Sequence, residues 1–419
     1  MKKFYCSFFL LLLLLGCSTG KYLIQPNLAY IYKKETGKIQ PSYAIYHLND
    51  SISELHFKIN AKALLYSKQP NEEHFSAQVK VSYKLFPNYE SEHLIDSSSI
   101  TLTDKTYDFE DKDLISKIKF KAPIENNFIM EVLILDLNQG QADKSFIVVE
   151  KNNINNRENF IIESPAIGLP LFRNYVKENE EVTIRYNQPN TSKLFIRYYN
   201  RTFSIAAPPF VISNNKPFDY IADSTFEVAL ENKSTKIRLE EKGFYHIQAD
   251  TSINKEGLTL FRFDNNFPEL ESVDELIAPL RYITSKQEYD EINSVNMKKE
   301  ALDDFWIKNS GNPDRAKELI KKYYNRVQEA NIFFSSYIEG WKTDRGIIYI
   351  IFGPPNVIYK NSHSESWTYG EEHNMMSLNL TFIKVTNPFT NNDFLLDRSV
   401  IYKNNWYRAV ETWRQGRIF

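Results

Sequence analysis

A mixed fold is predicted for this 419-residue sequence: two N-terminal all-β sandwiches of immunoglobulin-like architecture, then an α+β domain. Three observations carry that reading. Apolar and polar residues alternate with period two as far as about residue 266, the spacing turns helical after Pro268, and aromatics reach 14%, a bias that suits strands. Hydrophobic residues at 42% supply enough apolar material for several cores, and the length suggests two to four domains.

The first sandwich is placed at 40–151. Ala77, Val79, Val81, Tyr83 and Leu85 alternate with Gln78, Lys80, Ser82 and Lys84, and Leu55, Phe57 and Ile59 repeat the pattern. Further strands are expected at Ile115–Phe120, Phe128–Leu137 and Ser145–Glu150, separated by polar turn clusters such as Asn88–Ser91. The Asn-rich stretch Asn152–Asn159 reads as the linker. The second sandwich, 155–266, has expected strands at Glu181–Tyr186, Lys193–Tyr199, Thr225–Leu230, Thr235–Leu239, Gly243–Ala249 and Leu258–Phe263, with Pro208-Pro209 marking a loop or edge. In the third domain, 268–419, Val273, Leu276, Ile277 and Leu280 have helical spacing. Ala301, Leu302, Phe305 and Trp306 continue it. Asn312-Pro313 marks a helix start, with a stripe from Ala316 to Ala330 behind it. Strands are expected at Ile347–Phe352, Ser366–Tyr369 and Leu378–Val385, and a last helix at Asn404–Trp413.

The N-terminus points to a compartment. Lys2 and Lys3 precede the apolar run Phe4–Leu15, too short for the ~30 Å hydrocarbon core and suited to a signal peptide. The run ends in Leu14-Leu15-Gly16-Cys17, which resembles a bacterial lipobox. That resemblance implies a signal peptide at 1–16, a lipidated (palmitate-bearing) Cys17, and a tether over 17–39. Ser18 follows the Cys in place of the Asp that retains many such proteins in the inner membrane, so the expected address is the outer membrane of a Gram-negative bacterium, and the tether Ser18-Thr19-Gly20-Lys21, without the acidic cluster linked to surface display, leaves it facing the periplasm. Cleavage also removes Cys6, so the remaining chain has one cysteine and no disulfide, and cysteine-ligated metal sites are excluded.

Composition removes several function classes. A net charge of −2 without a basic stripe argues against nucleic acid. The thirteen glycines never stand one residue apart, so G-x-G-x-x-G cannot occur, and neither a phosphate-cradling P-loop nor a G-x-S-x-G elbow is present.

The most distinctive stretch is Gly340-Trp341-Lys342-Thr343-Asp344-Arg345-Gly346, followed by an apolar run and Gly353-Pro354-Pro355. The run Ile347–Phe352 reads as a buried central strand, with Gly340 and Gly346 in the turn that feeds it and Gly353-Pro354-Pro355 as its stop. Together with Phe305-Trp306, Tyr323–Val327, Ala330-Asn331 and Glu365-x-Trp367-x-Tyr369, this stretch resembles the GWxTD-domain family over about residues 270–415. The resemblance implies a bacterial, frequently lipidated protein with β-rich regions ahead of the domain, and it implies no established biochemical activity.

Candidate chemistry is sparse. Asp344, Glu339 and Glu365 are carboxylates that glycan hydrolysis could use. The plainer expectation is that Asp344 caps a turn and Glu365 pairs with Arg345. His363, His373, Glu365, Glu371 and Glu372 lack helical metal-ligand spacing. Trp341, Trp367, Tyr349, Trp406 and Trp413 could line a groove or fill a core, and Glu365, Trp367 and Tyr369 are the candidate binding surface. Arg408, Arg414 and Arg417 could dock on an anionic partner or solvate a helix. The expectation is a non-enzymatic, lipid-anchored envelope protein, with no cofactor, no metal and an envelope protein as partner, whose sandwiches hold the third domain away from the membrane. A glycan-binding or glycan-hydrolysing lipoprotein is the alternative, with its small-molecule ligand unknown.

Overall fold

The computed structural model describes residues 27–33, 38–70, 72–89, 91–108, 111–212, 218–252 and 256–418. The signal peptide at 1–16 and Cys17 lie outside these residues. The first sandwich comprises β1 (Ser42–His47), β2 (Ile52–Asn60), β3 (Phe75–Phe86), β4 (Asp96–Thr106), β5 (Asp113–Lys121), β6 (Asn126–Asp136) and β7 (Ala142–Lys151). Its sheets have orders β1-β2-β5 and β4-β3-β6-β7. Leu55, Phe57 and Ile59 of one sheet pack on Val79, Val81, Tyr83 and Leu85 of the other. The alternation on β3 is a buried-against-exposed alternation, because one face meets the facing sheet and the other meets water.

The second sandwich contains β8 (Phe160–Glu163), β9 (Glu181–Tyr186), β10 (Lys193–Tyr199), β11 (Ser224–Ala229), β12 (Ser234–Arg238), β13 (Gly243–Gln248) and β14 (Leu258–Arg262). The sheets are β11-β10-β13-β14 and β12-β9-β8, closed over Val182, Ile184, Leu194, Ile196 and Ile247. The Asn-rich segment between the sandwiches is a buried polar joint. Asn156 caps a short turn at Arg157–Asn159, and Asn187 donates to Asn159 Oδ1 and to the His47 carbonyl. The Asn187 Nδ2 donors are thereby both paired within the joint.

The C-terminal region has helices α1 (Val273–Ile277), α2 (Lys286–Ser294), α3 (Lys298–Ser310), α4 (Pro313–Phe334) and α5 (Asp344–Phe352). Then come strands β15 (Val357–Lys360), β16 (Ser364–Tyr369), β17 (Leu378–Lys384) and β18 (Phe394–Leu396) in sequence order across one antiparallel sheet, and helix α6 (Lys403–Arg414). Helix α4 starts where Asn312-Pro313 indicates, with Asn312 Oδ1 accepting from Arg315 N at 2.9 Å. The largest core of the molecule lies here and includes Trp306, Tyr323, Trp367 and Trp413.

Two expectations are corrected. Ile347–Phe352 is part of a helix, α5, and not a strand. All nine residues of α5 are buried, so no wet face interrupts the apolar run, and such a run has no periodicity to separate helix from strand. Residues 27–33 belong to no free tether. Leu28, Ala29 and Tyr32 are buried in the C-terminal core, and Leu28 N donates to the Ile358 carbonyl at 2.9 Å.

Candidate functional site

The Gly340–Gly346 stretch is the start of a helix. Gly340–Lys342 makes one 3-10 turn, and Thr343 is the N-cap of α5, its Oγ1 accepting from Gly346 N at 3.1 Å. The same hydroxyl donates to the Gly340 carbonyl at 2.8 Å. Glycine is required at 340 and 346 by close approach. A Cβ at Gly340 would strike the Ala330 carbonyl of α4, and one at Gly346 would strike the Gly340 carbonyl. Trp341 is buried, with its amide donating to Asn331 Oδ1 and its carbonyl accepting from Tyr282. Asp344, in the first turn where a negative charge favours the helix dipole, pairs with Arg398 and accepts from Leu396 N at 2.8 Å. Burial nevertheless pushes its carboxyl above the ordinary range, against the pull of Arg398. Arg398 also donates to the carbonyls of Ala207 and Pro208, and Ala206 N donates to the Lys342 carbonyl. The Pro208-Pro209 loop of the second sandwich is thereby clipped to this stretch.

The far end of α5 is closed by a cation. Arg326 of α4 donates to the Ile350 and Ile351 carbonyls at 3.1 and 3.2 Å, and Trp413 Nε1 donates to Ile351 at 3.0 Å. Gly353 has φ +82° and lies against the Arg326 guanidinium, which leaves no room for a Cβ. Pro354 and Pro355 follow and lead the chain into β15.

Arg345 lies at the centre of a buried ionic cluster. Arg345 and Glu365 are each 1% exposed, and Nη1 meets Oε1 at 3.0 Å. Lys360 Nζ reaches the same oxygen at 2.8 Å, Tyr32 donates its hydroxyl at 3.1 Å, and Trp367 Nε1 donates to Oε2 at 3.2 Å. Arg345 continues to the Asn392 carbonyl at 2.9 Å and stacks over Phe394, 4.1 Å from the ring centroid. Burial would raise the Glu365 carboxyl, but Lys360 and Arg345 outweigh it and hold it down at about 2. Glu365 is therefore ionised at neutral pH, with its lone pairs engaged, which disfavours a role as general acid.

Residues 243–415 match the GWxTD domain. The match spans β13 and β14 of the second sandwich as well as the region after Pro268. No curated protein matches the chain. Among solved structures, red sea bream transglutaminase aligns with 50% of this chain and 28% of that one at 9% identity. The TM-score of 0.18 is too low to carry any argument about fold or activity.

The structure separates the other sequence-derived candidates within the GWxTD domain. Glu365, Trp367 and Tyr369 do not form a surface together, since only Glu365 borders a cleft. Trp367 is fully buried against Phe382 and Phe334, and Tyr369 turns its hydroxyl to the Gly353 carbonyl at 2.8 Å. Tyr349, Trp406 and Trp413 are core residues too. Glu339 pairs with Lys342 at 2.7 Å. Arg414 forks onto Glu288 and ties α6 to α2, whereas Arg408 and Arg417 face solvent. Among the described residues, no three His, Cys, Asp or Glu side chains are grouped to hold a metal ion, and no helix is long and apolar enough to cross a membrane.

Sequence reading missed the cleft that opens on Glu365. It encloses about 450 Å³ between the GWxTD domain and the first sandwich, with Tyr89, Asn127 and Phe146 on one wall and Lys360, Lys384 and Asn392 on the other. A hollow of about 350 Å³ adjoins it and shares Asn127, Glu150, Ser362, Lys384 and Asn391. Burial pushes the Lys384 amine down. Among the described residues that amine has no hydrogen-bond or ion-pair partner. No local motif signals this cleft, because its walls are more than 200 residues apart in sequence.

Proposed function

We propose that this chain is a lipid-anchored protein of a Gram-negative cell envelope that acts by binding a protein partner and catalyses no reaction. The observation that carries the reading is the saturation of the GWxTD carboxylates beside an open cleft. Asp344 is spent on Arg398 and Leu396 N, and Glu365 on Arg345, Lys360, Tyr32 and Trp367. Neither carboxylate is left to exchange a proton with a substrate. The cleft offers a desolvated ammonium at Lys384, amides at Asn127 and Asn361, and the ring faces of Tyr89 and Phe146. Those are groups that can bind and orient a partner's polar and aromatic side chains.

The anchor reading rests on the Leu14–Cys17 sequence. On this reading the two sandwiches do not hold the GWxTD domain away from the membrane. Residues 27–33 pack on that domain, so an acylated Cys17, ten positions before Asn27, could stand no more than ~35 Å of chain from it.

The test is in-cell photocrosslinking from a benzophenone side chain at Asn127, on the cleft wall, with Lys236 on the second sandwich as the distant control. One discrete adduct at Asn127 that weakens with Lys384→Glu supports the reading. Adducts equal at both positions, or none, sink it. The amide-and-aromatic lining also favours a second reading, a glycan ligand, and a glycan array with the purified chain decides that one.

A further inference from the structure

Met375 and Met376 are 99% and 90% exposed, the highest values of any large apolar side chains among the described residues. They sit at the tip of the hairpin between β16 and β17, in Gly370–Ser377, where the Ser377 hydroxyl bonds back to the Glu371 carbonyl. Among the described residues nothing covers them, and an adjacent pair of wet methionines is unusual on a folded surface.

The described chain begins beside this same hairpin. Asn27 Nδ2 donates to the Asn356 carbonyl at 3.0 Å, and its Oδ1 accepts from Ile358 N at 3.0 Å. Asn356 in turn accepts from Gly370 N through Oδ1 at 2.8 Å, and its amide donates to Thr368. Asn27 is thus two hydrogen bonds from the base of the methionine tip. The stretch from Cys17 to Asn27 can extend at most ~35 Å, so a lipid on Cys17 confines this end of the GWxTD domain to within that distance of a bilayer.

We propose that the Met375–Met376 tip is a membrane-seating wedge that enters the headgroup–acyl boundary next to the anchored N-terminus. The inference rests on the acylated Cys17 proposed above. Methionine suits the role because its flexible thioether packs against disordered chains. Glu371 and Glu372 precede the tip, which favours a zwitterionic leaflet over an anionic one.

The experiment uses the full chain processed in cells, with Met375→Cys labelled by an environment-sensitive nitrobenzoxadiazole probe. After cleavage and acylation this cysteine is the only free thiol, because the sequence holds only Cys6 and Cys17. In phosphatidylethanolamine/phosphatidylcholine vesicles carrying doxyl-lipids, quenching at 375 should exceed quenching at an Ile221→Cys control by several-fold. Tryptophan fluorescence confirms that each variant folds. Labelled palmitate incorporation reads the anchor separately. Palmitate present with equal quenching at both positions overturns the wedge and leaves the anchor standing. Palmitate absent overturns the anchor and the wedge with it.

Discussion

Glutamine at position 365 would test the buried cluster directly. The folded Glu365 carboxyl is held at about 2 against an ordinary 4.5, because Lys360 and Arg345 outweigh its burial. A tenfold change in proton affinity is worth ~1.4 kcal/mol, so the ionised carboxylate contributes on the order of 3 kcal/mol. Its folded value lies below its unfolded value. The contribution is therefore complete above pH 4.5 and is lost as pH falls towards 2. Glu365→Gln removes it at every pH and leaves Arg345, 1% exposed, without its buried counter-charge. Breaking a buried pair by deleting one partner typically costs about 3–5 kcal/mol. We expect a loss of that size at pH 7, shrinking by about half at pH 3. The assay is urea unfolding followed by tryptophan fluorescence. All five tryptophans, Trp306, Trp341, Trp367, Trp406 and Trp413, lie in the GWxTD domain, so the signal excludes the first sandwich. A loss below about 1 kcal/mol at pH 7, or one that does not change between pH 7 and 3, refutes the argument.

Gly346→Ala should cost about 2 kcal/mol or more in the same melts, because the new methyl meets the Gly340 carbonyl and backbone cannot swing aside; an unchanged midpoint counts against the close approach. Asn312→Ala should cost about 1 kcal/mol by removing the cap on Arg315 N, while Asn312→Asp should retain most of it. Burial raises the Asp393 carboxyl from 3.8 to about 6, so its penalty on folding builds as pH rises between those values, is constant above them, and wild-type stability gains as pH falls from 6 towards 4. Asp393→Asn should therefore narrow its stability difference from wild type as pH falls from 8 to 5, and thermal melts across that range check the sign.

Legibility followed the contrast between wet and dry faces. Strands β9 and β10 fall at Glu181–Tyr186 and Lys193–Tyr199 as their alternation indicates, since each has one face on the core. Strand β4 was invisible because it is a polar edge, with residues such as Ser97, Ser98 and Ser99 exposed and pairing only to β3. Helix α5 failed for the opposite reason, having no wet face at all. Thr343 and Gly353 were the signals that could have rescued it, a hydroxyl cap at one end and a positive-φ glycine at the other. The pairing of Arg345 with Glu365 was legible from charge alone. The third partner, Tyr32, was not, because it arrives from 333 residues away and nothing local distinguishes it from a tether residue.

Gly340, Thr343 and Asp344 of the Gly-Trp-x-Thr-Asp run, and the arginine after it, each hold a different joint. Gly340 lets the turn touch α4, Thr343 starts α5, Asp344 fastens β18 and, through Arg398, the second sandwich's loop, and Arg345 gathers Glu365 and the N-terminal segment. Buried joints of this kind fail cooperatively, since removing one partner strands another polar group away from water. Substitutions in the run should then lower the amount of folded protein more than the affinity of what folds. Substitutions of cleft side chains such as that of Lys384, whose amine holds no other part of the fold, should do the reverse. Varying Lys384 and Asn127 therefore tests the proposed binding, while varying the motif reports on the fold.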